Sequence, residues 1–208
     1  IDVIYIFTLR ANGCPHTEYV IVTVNPTPVT DTIADQEYCS GITVPETSVT
    51  GLVSGTSFSW ENNNTSIGLA ANGSDNIPSF TASNTSGSAI TATITITPEA
   101  NNCTGNPIQY TITVHPESVG GEVTPDNIVC SGTNSGTLTL SGHTGDIIRW
   151  EFSTDDGMTW DNISNITTSH DFSDLTDTTW YRAVIKNGTC NETFSDPAVI
   201  TVDPLSEG

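Results

Sequence analysis

Residues 89–98 read AITATITITP, and along this stretch apolar side chains alternate with threonines. Alternation with a period of two, in residues that favour extended backbone, predicts a strand with one buried face and one solvated face. Segments of the same kind recur at 108–114, 137–140, 147–152, 180–186 and 198–202. No stretch has the periodicity of an amphipathic helix. Short strands separated by Gly, Asn, Asp and Ser clusters predict an all-β fold built from β-sandwiches.

The chain contains the same signature twice, with a partial third copy at its front. The recurring pieces are Cys39-Ser40-Gly41 with Cys130-Ser131-Gly132, Trp60-Glu61 with Trp150-Glu151, and Val22–Pro26 with Ile112–Pro116 and Ile200–Pro204. An interval near 90 residues predicts tandem small domains. We therefore expect the C-terminal hairpin of a preceding repeat at 1–27, one β-sandwich at 28–116, a second at 117–204, and the start of the next linker at 205–208.

Five cysteines accompany these repeats. Each full unit has one near its start and one near its end, which predicts one terminal disulfide per unit: Cys39 with Cys103, and Cys130 with Cys190. Each bond would close a loop of about 60 residues, which is worth about 4 kcal/mol in the chain-entropy relation. Cys14 is left unpaired in this fragment. Disulfides of this kind imply an oxidising compartment, which means a secreted, periplasmic or cell-surface location.

Charge excludes several classes of partner. The 208 residues include 24 acidic and only 4 basic side chains, giving a formal net charge of -20. So few lysines and arginines cannot neutralise phosphates, which excludes nucleic acid and attraction to anionic lipid. No apolar run approaches the length of a membrane span, so membrane insertion is excluded as well.

Residues 177–183, DTTWYRA, resemble the D-x-x-x-Y-x-C stretch of strand F in immunoglobulin domains. Tyr181 stands at the tyrosine-corner position, and Ala183 stands where an antibody domain has cysteine. Trp150 occupies the place of the core tryptophan. This departure at Ala183 favours an Ig-like relative over an antibody-type domain.

The first unit resembles the PKD-like repeats of very large Bacteroidetes surface proteins, and the second is similar to the Ig-like repeats found beside them. The first resemblance rests on FSWE at 58–61, IPSF at 77–80, CTG at 103–105 and YTITVHP at 110–116, and the second on WEFSTDDGMTW at 150–160 and YRAV at 181–184. Proteins of this type include SprB-like gliding adhesins, which the type IX secretion system exports.

The resemblance implies a non-catalytic repeat segment of a secreted adhesin at the bacterial cell surface, associated with the outer membrane. Such a segment would act as a spacer or stalk, and as a weak multivalent contact surface in adhesion or gliding motility. Its partners would be neighbouring repeats of the same polypeptide and surface glycans. The alternative is an accessory module, glycan-binding or spacer, of a secreted polysaccharide-degrading enzyme.

Side chains that would carry chemistry are sparse. The sequence lacks nucleophile-elbow, zinc-protease and phosphate-loop motifs, which predicts no enzyme activity. Calcium is the candidate cofactor, with Asp155, Asp156, Asp171 and Asp174 as oxygen ligands. Ordinary solvated turns explain the same acids. Trp180 and Trp160 are candidates for stacking on a sugar, and packing on their own sheet is the competing interpretation.

Overall fold

The computed structural model describes residues 1–203, and the linker predicted at 205–208 lies outside the described residues. Strands form almost all regular structure, and the one helical element in this range is a 3-10 turn at Thr65–Ile67. The predicted all-β class is confirmed.

Nineteen strands lie within residues 1–203. They are β1 (Asp2–Ala11), β2 (Cys14–Thr23), β3 (Gln36–Cys39), β4 (Thr43–Val44), β5 (Ser57–Asn62), β6 (Asn72–Ser74), β7 (Phe80–Thr81), β8 (Ile90–Ala100), β9 (Cys103–Thr104), β10 (Ile108–His115), β11 (Glu122–Thr124), β12 (Asn127–Cys130), β13 (Ser135–Ser141), β14 (Asp146–Ser153), β15 (Asp161–Ile163), β16 (Ser169–Ser173), β17 (Thr179–Lys186), β18 (Thr193–Phe194) and β19 (Ala198–Asp203).

Strands β3 to β10 form the first sandwich. Its larger sheet has the order β3-β10-β8-β5-β6, and β9 pairs with β8 beside this path. Strand β8 is antiparallel to both β10 and β5, whereas β3 runs parallel to β10. The second layer is the β4–β7 pair, continued by isolated bridges from Thr30 to Gly51 and from Thr47 to Ile77.

The second sandwich repeats the larger sheet strand for strand. Its order is β12-β19-β17-β14-β15, with β18 paired to β17, and β12 again runs parallel to the last strand. Cys39 lies opposite His115 in the first unit, and Cys130 lies opposite Asp203 in the second. The two units therefore agree in register as well as in order. A three-stranded sheet, β11-β13-β16, forms the other layer.

Two separate hydrophobic cores hold these layers together. The alternation predicted for β8 is observed, since Ala92, Ile94 and Ile96 are buried and the threonines between them are half-buried. Trp60 lies in the first core and Trp150 in the second. Burying a large apolar side chain contributes about 1.5–3 kcal/mol, so the periodic residues supply most of the force that joins each pair of sheets.

The Ig-like stretch places its side chains as the sequence predicts. Tyr181, Ala183 and Ile185 all belong to the second core. Arg182, between them, lies on the opposite face of the same sheet and pairs with Glu151 there. Successive side chains of a strand point to opposite faces, and this accounts for the division.

Strands β1 and β2 form an isolated antiparallel hairpin in which every residue is exposed. Asn12 and Gly13 both have positive φ, at 52° and 82°, as a type I′ turn requires. Asn187-Gly188 has the same Asn-Gly sequence after a strand, but it does not form this turn. Only Gly188 has positive φ, and the Cys190 amide donates to the Asn187 carbonyl at 2.9 Å.

Candidate functional site at the junction of the two sandwiches

A disulfide links the two sandwiches to each other. Cys39 of the first unit bonds Cys190 of the second, with Cα atoms 4.9 Å apart and a sequence separation of 151 residues. The predicted pairs Cys39–Cys103 and Cys130–Cys190 are therefore wrong. Cys103 and Cys130 are free thiols, and Cys14 is free as well.

The sheet topology explains why the predicted pairs cannot form. Cys39 ends β3 beside His115, at the linker end of the sandwich. Cys103 faces Ala100 across the turn at the far end of β8, which has 11 residues. Such a strand spans about 35 Å, whereas disulfide-bonded residues have Cα atoms within about 7 Å. The second unit repeats this arrangement, so its two cysteines also lie at opposite ends.

Hydrogen bonds surround the disulfide and tie the linker to the loop that contains Cys190. The Ser118 hydroxyl donates to the Asn191 carbonyl at 2.8 Å and accepts from the Asn187 amide at 3.0 Å. The Asn187 side chain donates to the Pro116 carbonyl at 3.0 Å. The two units are thus joined by the main chain, by the disulfide and by a polar network.

His115 and Gly188 fit against each other at this junction. A Cβ added to Gly188 would overlap the His115 ring, and its positive φ of 50° also favours glycine. His115 Nε2 lies 3.2 Å from a Glu37 carboxylate oxygen on β3. The histidine that closes β10 therefore serves as a packing element between the domains.

A solvent-open cleft of 580 Å³ lies beside the disulfide. Its lining includes Tyr38 and three acidic side chains, Glu37, Glu117 and Glu192. No group of three or more His, Cys, Asp or Glu residues within residues 1–203 is placed to hold a metal ion. The cleft thus contributes negative charge to the junction without forming a metal site.

Trp160 lies in an aromatic and ionic cluster on the outer face of the second unit. The Arg182 guanidinium stands 3.9 Å from the Trp160 ring centroid and 3.9 Å from that of Phe194. Glu151, which is 4% exposed, accepts from Arg182 at 2.8 Å and from Arg149 at 2.9 Å. One face of the Trp160 indole is therefore occupied by a cation from its own domain.

Trp180 lies on the same side of the sheet and is half-buried. Its indole nitrogen is enclosed and has no hydrogen-bond partner among the described residues, whereas Trp160 donates to the Gly157 carbonyl at 2.9 Å. A Cβ at Gly157 would contact both indoles. The two tryptophans predicted to contact a ligand thus share one cluster, and sugar binding by either remains a prediction.

Of the four aspartates predicted as calcium ligands, Asp155, Asp156 and Asp174 lie in or beside turns, whereas Asp171 lies within strand β16. Asp155 accepts from the Thr159 hydroxyl at 2.6 Å, from the Thr159 amide at 2.8 Å and from the Ser153 hydroxyl at 2.7 Å. These bonds, those from Thr159 above all, lower the pKa of Asp155 to about 2.

The other three aspartates also have local roles. Asp171 accepts from the Thr137 hydroxyl at 2.6 Å, and Asp156 and Asp174 adopt positive φ. Aspartate tolerates that conformation in turns. Since no three acids within residues 1–203 form a group that could hold a metal, calcium binding at these positions stays a prediction.

Two family matches cover most of the chain. Residues 36–118 match the family described as "PKD-like domain", and residues 119–204 match the family described as "Domain of unknown function (DUF8696)". No curated protein matches the sequence. No helix within residues 1–203 is long and apolar enough to cross a membrane.

Several solved structures are similar to this chain at low sequence identity. A crystal structure of consecutive titin domains is 12% identical, with a TM-score of 0.50, over 97% of this chain and 75% of that one. Murine CEACAM1b is 18% identical, with a TM-score of 0.43, over 80% of this chain and 96% of that one. The N-terminal eight Ig domains of the Down syndrome cell adhesion molecule are 11% identical, with a TM-score of 0.45, over 92% of this chain and 30% of that one.

The fold and the family matches define the class of the protein. It is a tandem of Ig-like and PKD-like β-sandwich domains, a fold typical of non-catalytic modules, and no catalytic family is among the matches. A disulfide at a solvent-accessible junction is typical of proteins in oxidising compartments outside the cytosol.

Proposed function

We propose that this chain is a spacer segment of a secreted cell-surface adhesin, in which consecutive sandwiches transmit tension between an anchor and a distant contact point. The observation that supports this proposal is the disulfide between Cys39 and Cys190. In a stalk, the junctions between domains bear the load, and this junction is closed covalently. The type of adhesin that the sequence resembles, a gliding adhesin exported by type IX secretion, is part of the same proposal.

The disulfide determines which residues bear a pulling force. Tension applied at the two ends runs along the chain to Cys39, crosses the disulfide, and continues from Cys190 toward β19. Residues 40–189 lie outside this path. They include all of the paired strands β8 and β10 in the first sandwich, and all of β14 and β17 in the second. Most of both sandwiches is therefore shielded from the load.

Single-molecule pulling on the whole chain, held at its two ends, tests this mechanism. In the oxidised chain, residues 40–189 should not extend. Reduction frees the chain between Cys39 and Cys190, a separation of 151 residues, to extend under load. At about 3.4 Å per residue, the contour length should increase by about 500 Å. A Cys103→Ser variant is the matched control, because it removes a thiol that is free in this chain, and it should leave the gain unchanged.

Full extension of the oxidised chain without reductant would contradict the stalk mechanism. A polysaccharide binding panel separates the stalk from the alternative of an accessory module in a glycan-degrading enzyme. A spacer should show no saturable binding, whereas saturable binding that is lost in Trp180→Ala would favour the accessory module.

A further inference from the structure

The two units place their cysteines at equivalent positions, and this equivalence assigns partners to the free ones. Cys39 and Cys130 each end a strand that runs parallel to the last strand of their unit, opposite His115 and Asp203. Cys103 and Cys190 each follow a turn after the central strand, β8 or β17. The observed disulfide joins one position of the first type to one of the second type in the next unit.

We propose that Cys130 and Cys103 are half-cystines of further disulfides of this kind, which cross-link every repeat to its neighbour along the polypeptide. Cys130 would bond the hairpin cysteine of the repeat that follows it. Cys103 would bond the strand-end cysteine of the repeat that precedes it. The chemical partner in each case is a thiol of another Ig-like or PKD-like repeat. This inference goes beyond the proposed function and does not depend on it, because it rests on repeat geometry alone.

The front junction of the chain supports the proposal independently of the cysteines. Asn25 holds the position of His115 in the repeat, 90 residues earlier. Its side chain donates to the Asn101 carbonyl at 3.4 Å, two residues before Cys103. His115 makes the corresponding contact with Gly188, two residues before Cys190. The strand end of one unit therefore meets the hairpin turn of the next at both junctions.

The linkers also take the same route past the hairpin. A Cβ added to Gly105 would overlap the carbonyl oxygen of Pro28, so the first linker passes directly over the residue two positions after Cys103. In the second junction, Ser118 bonds the carbonyl of Asn191, one position after Cys190. Pro28 and Ser118 each lie two residues after the proline that closes a repeat.

The free thiols are accessible for this reaction. Cys130 is exposed and Cys103 is half-buried. Formation of each bond removes two protons and two electrons from two thiols. The electrons pass to a disulfide oxidant, which is reduced to two thiols while the new S–S bond forms by exchange through a mixed disulfide. An oxidising compartment supplies such an oxidant.

A tandem duplication tests the proposal with the protein's own repeats. Residues 1–204 are fused to a second copy of residues 27–208, so that Pro204 takes the place of Pro26 before Thr27. Cys130 of the first copy then precedes Cys103 of the second by 151 residues, the separation of the natural pair. After folding in an oxidised and reduced glutathione buffer, disulfides are mapped by mass spectrometry of peptides cut at acidic residues.

We expect a peptide that links Cys130 to the second-copy Cys103, beside the Cys39–Cys190 peptides of both copies. In this fusion, Cys14 and the first-copy Cys103 have no strand-end cysteine before them, and the second-copy Cys130 has no repeat after it, so these three thiols should stay reactive toward a thiol reagent. Changing the second-copy Cys103 to Ser should abolish only the new cross-link.

The proposal is overturned if the folded tandem gives no peptide that links Cys130 to Cys103, or if Cys39–Cys103 or Cys130–Cys190 peptides form. Thermal unfolding of the Ser variant shows whether it is folded, so a misfolded chain is not counted as a missing bond. The pulling experiment on the single chain involves only Cys39 and Cys190. Its result therefore tests the proposed function independently of the result of the tandem experiment.

Discussion

At the scale of the residue, the Trp-Glu pair that occurs in both repeats has a different role in each, because the residue opposite the glutamate differs. Trp60-Glu61 and Trp150-Glu151 hold equivalent positions in the two sheets. Glu61 lies opposite Thr95 and is exposed, whereas Glu151 lies opposite Arg182 and is buried between two arginines. The charge of Glu151 is therefore compensated, and its removal would leave two half-buried cations without their shared partner.

We predict that Glu151→Ala lowers the free energy of unfolding of the second unit by about 2 kcal/mol, because breaking a buried ion pair strands the remaining charges. Glu61→Ala is the matched control, and as a surface change it should stay within about 0.5 kcal/mol. Urea unfolding followed by tryptophan fluorescence measures both values. Equal effects of the two substitutions would show that the arginine cluster adds nothing to stability.

The sequence indicates the cores well and the outer face poorly. Alternation alone identifies Tyr181, Ala183 and Ile185 as core residues, because burial in a strand follows from its period. The packing of Arg182 between Trp160 and Phe194 has no such signal, since these residues come from three strands or loops that meet only in the folded sheet. The tryptophans therefore look like free ligand-binding candidates until the tertiary contacts are known.

At the scale of the element, the loop between β7 and β8 depends on one buried side chain. Asn84 donates to the carbonyls of Val114 at 2.7 Å and Ser88 at 2.9 Å, and its oxygen accepts from the amide and hydroxyl of Ser86. The backbone N–H of Asn84 donates to the hydroxyl of Ser40, the residue next to Cys39, at 3.0 Å. This residue thus holds the loop onto the end of the sheet that forms the junction.

We predict that Asn84→Ala destabilises the first unit by about 2 kcal/mol, because the buried Val114 carbonyl loses its side-chain donor. Asn72→Ala, at an exposed position in β6, is the control and should have little effect. Amide hydrogen exchange should show faster exchange at residues 84–90 in Asn84→Ala alone. Unchanged exchange there would mean that the loop is held by its backbone.

The wrong disulfide assignment also has its origin at the scale of the element. Sequence order suggests that the first and last segments of a unit lie together, and they do, since β3 pairs with β10. The pairing is parallel, however, so Cys39 follows β10 toward the linker and away from the hairpin that contains Cys103. Strand direction is a property of the folded sheet, and spacing between cysteines does not reveal it.

At the scale of the whole molecule, the repeat period predicted from sequence corresponds to two sheets with the same strand order and register. What the period does not indicate is how neighbours are joined. The way in which neighbouring domains are joined depends on which ends of the sandwiches meet. The contacts of His115 with Gly188 and of Ser118 with Asn191 determine which ends these are.

The disulfide between Cys39 and Cys190 also gives the chain a second covalent connection, parallel to the backbone between these residues. A single peptide bond cleaved anywhere from residue 40 to residue 189 leaves one piece with Cys39 and the other with Cys190, still one covalent molecule. We predict the outcome of inserting a recognition sequence for a site-specific protease at the exposed Gly55. After cleavage, the protein should run as one full-length band on a denaturing gel without reductant, and as two bands with reductant. The same insertion with Cys190→Ser should give two bands in both lanes. A chain cross-linked in this way stays in one piece after proteolytic nicking that would sever an ordinary string of domains.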